Sequence, residues 1–193
     1  LFQCQALSLK VRQAMVDLLT TRIWLMRGLY IWLAILITFF HLLPLSVSTS
    51  RWPAPDLVVA LTFAWAMRRP EYVPALSVGL VAFLSDLLLQ RPPGLMAALV
   101  VIGAETLRVR ARFSRDLHFL IEWATVAGVI VSIAIGKHLT LSALFVPSAS
   151  WGLSTLQTLL TIAIYPVVVL VSRFLFRVSK PAPGEVDALG HRL

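Results

Sequence analysis

The chain has 193 residues, of which 59% are hydrophobic and only 13% are charged. Soluble domains usually have about 45–50% apolar residues and about a quarter charged residues, so this composition excludes an ordinary soluble domain. The single cysteine, Cys4, excludes an internal disulfide and a cysteine-cluster metal site. The formal net charge of +8 fits either a nucleic-acid-binding or a membrane protein, and the positions of the basic residues decide between them.

Six apolar stretches separated by basic residues predict an all-α polytopic membrane protein with six transmembrane helices. A spanning helix needs about 20 mostly apolar residues, with a range of about 17–25. The predicted spans are at about residues 28–45, 54–67, 72–90, 93–107, 117–136 and 152–173. Spans two and four are short. Residues 56–67 would extend over only about 18 Å as a helix, so Trp52 and Pro53 are expected to lengthen that span, or the bilayer to thin there.

The distribution of lysine and arginine predicts the orientation. With six crossings, fourteen of the seventeen basic residues fall on the side of the N-terminus. They are Lys10, Arg12, Arg22, Arg27, Arg68, Arg69, Arg108, Arg110, Arg112, Arg115, Arg173, Arg177, Lys180 and Arg192. Positive charge accumulates on the cytoplasmic side of membrane proteins, so both termini are predicted to be cytoplasmic. Nucleic-acid binding is disfavoured because the charges lie on separate short loops without an aromatic-basic stripe.

The predicted organisation has three parts. Residues 1–22 are basic with weak helical periodicity, which predicts a cytoplasmic or interfacial segment. Residues 23–177 form the six-helix transmembrane domain, and residues 178–193 form a polar tail with Pro and Gly. Within the domain, residues 138–151 are apolar but interrupted by Pro147, and they predict an interfacial or re-entrant segment before the last span.

Asp86 is the most notable of three acidic residues singled out in the predicted spans, and intramembrane ionisable residues are functional candidates by default. It lies in the apolar run GLVAFLSDLLLQRPPG, residues 79–94. Gly79, Phe83, Asp86 and Gln90 are spaced to share one helical face. A small residue and two polar residues on one stripe predict a face that packs against another helix or another protein.

The residues after Asp86 suggest how its carboxylate is satisfied. Arg91 follows about one turn later and is a candidate ion-pair partner. Pro92, Pro93 and Gly94 then turn the chain into the fourth span, where a proline can begin a helix. A structural role, in which Asp86 tethers this turn through backbone amides, is the favoured interpretation. A contact with a partner protein and the binding of a ligand or proton are the alternatives.

The two remaining acidic residues lie near the predicted cytoplasmic face. Glu105 precedes Arg108 by three residues, which predicts an i,i+3 ion pair at the interface. Glu122 lies near the start of the fifth span, where the helix dipole favours an acid, and four residues after His118. For both glutamates, the alternative role is contact with a cytoplasmic partner.

Other polar residues in the spans give weaker indications. His41 has no second histidine at helical spacing, so a metal site there is disfavoured. Pro166 is expected to kink the last span. Hydroxyl and amide side chains in that span are expected to bond neighbouring helices: Thr155, Gln157, Thr158 and Thr161. No GxGxxG, P-loop, HExxH or Ser-His-Asp pattern occurs in the sequence, so a non-enzymatic protein without a cofactor or metal is predicted.

These features together resemble the family of bacterial rod shape-determining membrane proteins called MreD. The shared pattern is six spans with both ends inside, G-x6-D-x6-P-G across spans three and four, and a proline in the last span. The matching residues are Gly79, Asp86, Pro93, Gly94 and Pro166. The resemblance covers the chain from about Ile23 to Arg177. Gln157 lies where the family is expected to have an asparagine, so no role is inferred there.

The resemblance implies a scaffold of the elongasome in the bacterial inner membrane, which supports peptidoglycan synthesis for lateral growth of the cell wall. The implied partners are MreC and, through it, the glycosyltransferase RodA and a class B penicillin-binding transpeptidase, with MreB filaments and membrane lipids as further contacts. The implied fold is similar to the substrate-binding components of energy-coupling-factor (ECF) transporters. A substrate-binding component of a vitamin or metal transporter is therefore the alternative function, but the polar groups within the predicted bundle are few for solute binding.

Overall fold

The computed structural model describes residues 2–43, 53–113, 119–145 and 150–176; for residues 2–19, 112, 113 and 176 it describes the backbone. The described residues form six α-helices and contain no strand, which confirms the predicted all-α class. The helices are α1 (Phe2–Leu42), α2 (Leu57–Arg68), α3 (Ala75–Leu88), α4 (Leu95–Phe113), α5 (Phe119–Ala143) and α6 (Trp151–Phe176). A 3₁₀ helix, Pro70–Tyr72, joins α2 to α3.

Three parts of these helices are long and apolar enough to cross a membrane: Thr20–Leu42 in α1, Phe119–Ala143 in α5 and Trp151–Leu175 in α6. Their outward faces carry large apolar side chains. Trp32 is 59% exposed, and Leu159 is 58% exposed. Large exposed apolar surfaces are typical of contact with lipid or protein, so the chain has the character of a membrane protein. Each of the six predicted spans overlaps one helix, while membrane crossing by all six stays a prediction.

Helix boundaries differ from the sequence-based expectation at three places. α4 continues to Phe113, beyond the predicted end near residue 107. α1 continues without a break from Phe2 to Leu42, so the predicted interfacial segment and the first span belong to one helix. α5 continues to Ala143, beyond the predicted end near residue 136. The first part of the predicted interfacial segment 138–151 is therefore helical, whereas its Pro147 and the tail 178–193 lie outside the described residues.

α2 is the central helix of the bundle, and it packs against α1, α4 and α6. All ten residues from Val59 to Arg68 are buried. Phe63 and Trp65 are fully buried, and Trp65 also packs edge-on against Tyr72 at 6.4 Å between ring centroids. A helix that is apolar on every side belongs in a core. Its 12 residues are therefore enclosed by protein, and a thinner bilayer is not needed to explain its length.

The remaining helices, α3 and α5, pack on the neighbours of α2, and the bundle has polar side chains at two opposite ends. α3 packs on α1 and α4, while α5 packs on α4 and α6. One end holds the α2–α3 connection and the start of α5, joined by the bond between Arg68 and Glu122. The opposite end holds the start of α2 and the α3–α4 turn, joined by the bond between Arg91 and Asp56. We call these the Arg68 end and the Arg91 end.

Candidate functional site

Asp86 lies in the last turn of α3, and its carboxylate binds the start of α4. The residue is 1% exposed. Its Oδ2 accepts hydrogen bonds from the backbone N–H groups of Gly94 and Ala97, each at 3.2 Å. The first N–H groups of a helix have no partner within the helix, and its N-terminus carries partial positive charge. The carboxylate accepts from two of these N–H groups and places its negative charge beside the positive end of α4. This arrangement matches the structural tether, one of the three roles predicted for Asp86.

The α3–α4 turn brings these groups together. The N–H of Arg91 donates to the main-chain oxygen of Asp86 at 3.0 Å, which closes the end of α3. Pro93 lies in the turn, and Gly94 follows with φ of +87°. Glycine adopts this left-handed conformation without steric cost, so Gly94 lets the chain enter α4 with its N–H directed at Asp86.

The predicted stripe of Gly79, Phe83, Asp86 and Gln90 is not a single packing face. α3 ends at Leu88, so Gln90 lies outside the helix and is exposed, with φ of +53°. Phe83 is 43% exposed. A Cβ on Gly79 would lie 3.5 Å from Val101 of α4, an ordinary contact. The buried face of α3 consists instead of Ser77, Val78, Val81, Ala82, Ser85 and Asp86.

The predicted ion pair between Asp86 and Arg91 is wrong. Arg91 Nη1 lies 3.1 Å from Oδ2 of Asp56, which precedes α2. The other oxygen of Asp56, Oδ1, accepts from the N–H of Val59 at 3.4 Å and caps α2. Arg91 thus joins the α3–α4 turn to the start of the central helix. Sequence reasoning missed Asp56, although an aspartate directly before an apolar run is a helix N-cap signal.

α6 also contributes to the Arg91 end. Thr161 Oγ1 accepts from the N–H of Asp56 at 3.0 Å, and Gln157 Nε2 donates to the oxygen of Ala54 at 3.2 Å. The predicted bonds to neighbouring segments are therefore present for these two side chains. Thr155 and Thr158 instead donate to main-chain oxygens of their own helix, at 2.7 and 2.8 Å.

Two small cavities lie side by side at the Arg91 end, and Asp56 and Arg91 line both. One has a volume of about 30 Å³ and includes His41 and Asp86 in its lining. The other has a volume of about 40 Å³. Its polar lining consists of Asp56, Arg91, Lys137, Gln157, Thr158 and Thr161. One water molecule needs about 10–15 Å³ by this measure, so each cavity has room for a few water-sized groups.

Glu122 belongs to the core at the Arg68 end rather than to a cytoplasmic surface. It is 1% exposed, and Oε1 lies 3.2 Å from Nε of Arg68. The hydroxyl of Tyr165 donates to the same oxygen at 3.2 Å. Glu122 is therefore not exposed to a cytoplasmic partner in this structure, because its carboxylate bonds Arg68 of α2 and Tyr165 of α6. His118, its predicted neighbour, lies outside the described residues.

Glu105 and Arg108 form the ion pair that their spacing predicts. Oε1 of Glu105 lies 2.7 Å from Nη1 of Arg108, and the glutamate side chain is 41% exposed. Nη2 of Arg108 also donates to the main-chain oxygen of Val73, before α3. Arg108 therefore links α4 to the α2–α3 connection, in addition to its bond within α4.

Pro166 lies inside α6 and removes one backbone hydrogen bond from that helix. The oxygen left without its usual partner is that of Ile162, four residues earlier. Nε1 of Trp123 on α5 donates to this oxygen at 3.1 Å. The proline thus creates a specific contact between α5 and α6. The sequence predicted only a kink at this proline and did not predict the contact.

An open groove of about 900 Å³ lies between α4 and α5. Its α5 wall presents small side chains one turn apart, at Ala124, Gly128 and Ser132, all of which are exposed. A Cβ on Gly128 would meet no atom within 4 Å. Arg110 lines the groove on α4. Small residues at four-residue spacing are typical of close packing between membrane helices.

Metal ligands are not clustered in the part of the chain that the structure describes: no three His, Cys, Asp or Glu side chains come together there. No family model, curated protein or solved structure matches this chain.

Proposed function

We propose that this chain is a non-enzymatic membrane scaffold of the MreD type, with six spans and both termini in the cytoplasm of a bacterium. In this role it associates with MreC in the inner membrane. Through MreC it joins RodA and a class B penicillin-binding transpeptidase in the elongasome. Direct contact with MreB filaments would use its cytoplasmic loops.

The observation that carries this proposal is that the residues of the G-x6-D-x6-P-G pattern meet in one structural unit. Asp86 on α3 binds the N–H of Gly94, directly after Pro93, and Gly79 faces α4 beside Val101. The pattern therefore specifies the α3–α4 hairpin. Its acid is occupied by backbone amides, so the pattern supports an architectural role more than a catalytic one.

The separation of charges at the two ends supports the proposed orientation. Arg27, Arg68 and Arg108 bond to groups at the Arg68 end. The Arg91 end has Arg91 and Lys137. With the Arg68 end in the cytoplasm, this arrangement follows the positive-inside rule. α2 then crosses as a short helix inside the bundle, and α3 crosses as a short helix packed on α1 and α4.

The groove between α4 and α5 supports the binding of a partner helix. A single membrane span of MreC would pack its side chains over Gly128 and its small neighbours, which allow close approach of two backbones. Arg110 would lie near the cytoplasmic end of that span. Its lining is mainly apolar, and small side chains lie on the α5 side.

The alternative, a vitamin-binding component, is less well supported by the cavities. Ligand pockets usually measure about 300–1,000 Å³, whereas the two at the Arg91 end measure about 30 and 40 Å³. The polar groups beside them are largely bonded to one another, as Asp56 is to Arg91 and Thr161. A scaffold whose polar groups hold its own helices together fits these dimensions better.

Purification from native bacterial membranes with a mild detergent, followed by mass spectrometry, tests the assignment. We expect MreC to be recovered with the tagged protein, together with RodA and the transpeptidase. Recovery of energy-coupling ATPases in place of MreC would overturn the scaffold and support the transporter alternative.

The partner surface is tested by a matched pair of substitutions. Gly128→Leu would fill the groove without an internal clash, because a side chain there starts in open space. Ala163→Leu places the same side chain on the exposed face of α6. We expect the first to reduce recovery of MreC at unchanged thermal stability and the second to leave recovery unchanged. Equal recovery with both variants would place the partner on another face.

A further inference from the structure

Lys137 is an ionisable residue of α5 at the Arg91 end of the bundle. It lies in one of the three helices long and apolar enough to cross a membrane and is partly buried. Among the described residues, no hydrogen bond or ion pair reaches its ammonium group. The side chain lines the 40 Å³ cavity together with Asp56 and Arg91. Charged residues within membrane helices usually pair with one another or mark a binding site or pathway.

The acids near this cavity are already engaged. Asp56 uses Oδ1 for the N–H of Val59 and Oδ2 for Arg91. Asp86, which lines the neighbouring cavity, is bound to the start of α4. The segments that lead into α2 and α6, residues 44–52 and 146–149, contain no aspartate or glutamate. Two cations and one carboxylate therefore line the 40 Å³ cavity, which leaves one positive charge in excess.

We propose that this cavity binds a small oxyanion, either a carboxylate or a phosphate group, between Arg91 and Lys137. An uncompensated charge inside a protein is costly, and an anion that accepts charge-assisted hydrogen bonds from both cations relieves that cost. The volume matches a group of this size, since it holds about three water-sized groups. The side-chain amide of Gln157, on the same lining, donates one N–H to Ala54 and has a second N–H for the anion.

Two sources supply a carboxylate or phosphate group of this kind: a dissolved anion and a lipid headgroup. At the Arg91 end, the cavity lies near the outer boundary of the proposed span of α5, within reach of either source. Anion binding in this cavity does not require MreC to be the partner. Failure of one proposal therefore leaves the other intact.

For a dissolved anion, the test uses the full chain in a neutral detergent. Thermal unfolding is followed by tryptophan fluorescence while sodium acetate or sodium phosphate replaces sodium chloride at constant ionic strength. We expect the unfolding temperature to rise and saturate. Lys137→Met should weaken the apparent affinity by about tenfold or more, the loss of roughly one charged hydrogen bond. Lys137→Arg should largely retain it.

For a lipid headgroup, the same variants are placed in nanodiscs of phosphatidylglycerol or phosphatidylcholine, and retained lipids are counted by native mass spectrometry. We expect selective retention of phosphatidylglycerol that Lys137→Met removes. Arg173→Met, which removes an exposed cation of α6, is the control in both experiments. Lys137-dependent binding in either experiment identifies the source. Absence of saturable stabilisation and of selective lipid retention, or equal binding by Lys137→Met, would overturn the proposal.

Discussion

The indole N–H of Trp123 on α5 donates to the main-chain oxygen of Ile162 on α6 at 3.1 Å, the oxygen that Pro166 leaves without its usual partner. A buried carbonyl without a partner is costly, so the tryptophan compensates for the proline. The two residues lie 43 positions apart in the sequence, yet they form one structural element.

Trp123→Phe should destabilise the protein by about 1–3 kcal/mol, because it removes the donor and leaves the Ile162 oxygen unsatisfied. In a Pro166→Ala background the restored helical N–H can bind that oxygen, so the same substitution should cost less. Thermal or denaturant unfolding of the four proteins in detergent measures the difference. Equal costs in both backgrounds would show that the tryptophan and the proline act independently.

Substitutions of Asp86 should separate its hydrogen bonds from its charge. Asp86→Asn retains an oxygen for the N–H groups of Gly94 and Ala97, whereas Asp86→Leu leaves both unsatisfied. We expect a loss of about 1–3 kcal/mol for each amide left without a partner, so leucine should be clearly the more harmful replacement. Unfolding midpoints of the two variants provide the comparison, and similar midpoints would argue against the tether.

The pair of Arg68 and Glu122 should show strong coupling. Removal of one partner leaves a buried charge, which typically costs about 3–5 kcal/mol. Simultaneous Arg68→Met and Glu122→Leu replacement should cost less than the sum of the single replacements. A double-mutant cycle measured by unfolding gives the coupling, and additive effects would contradict a buried ion pair.

Two glycines that face the region between α4 and α5 should respond differently to the same small change. A Cβ on Gly103 would lie 3.0 Å from atoms of Phe63, Val129 and Ile133, while one on Gly128 has open space. Gly103→Ala should therefore cost about 1–3 kcal/mol through overpacking, and Gly128→Ala should have little effect. The unfolding temperatures test this contrast; a tolerant Gly103 would indicate that its neighbours shift easily.

Charge reversal at the end of α4 and directly after it should disturb the orientation of the chain. Arg110, Arg112 and Arg115 are changed to glutamate together, while Arg108 is retained because it bonds within the bundle. Since basic residues favour the cytoplasmic side, labelling of a cysteine at Ser114 by an impermeant maleimide should increase in intact cells. The same three positions changed to lysine are the control, and equal labelling of both proteins would contradict the predicted orientation.

The sequence was sufficient to predict the helical class and the approximate positions of the apolar segments, because these depend on local composition. It could not show that α2 is the enclosed centre of the bundle. Hydropathy measures how apolar a segment is, and it gives the same value whether lipid or protein surrounds that segment. The neighbours of α2 come from α1, α4 and α6, which are distant in the sequence.

The site was predictable to a similar degree. The spacing of Asp86 from the Pro-Gly turn indicated a tether, since a nearby carboxylate and free helix amides attract each other. The partner of Arg91 was missed because proximity in sequence favoured Asp86, whereas folding places Asp56 at the same end of the bundle. Lys137 lies just after the predicted end of span five, so the sequence placed it in a loop. In the structure α5 continues to Ala143, and Lys137 lies within this helix and lines a cavity.

The enclosure of α2 has a consequence for biogenesis. In the proposed topology this segment has little lipid-facing surface of its own, so the energy that holds it across the bilayer comes from its neighbours. Two of them, α4 and α6, leave the ribosome after it. Stable integration of α2 must therefore follow the synthesis of the C-terminal half, and a chain stalled before α6 would present an incompletely inserted hairpin to membrane quality-control proteases.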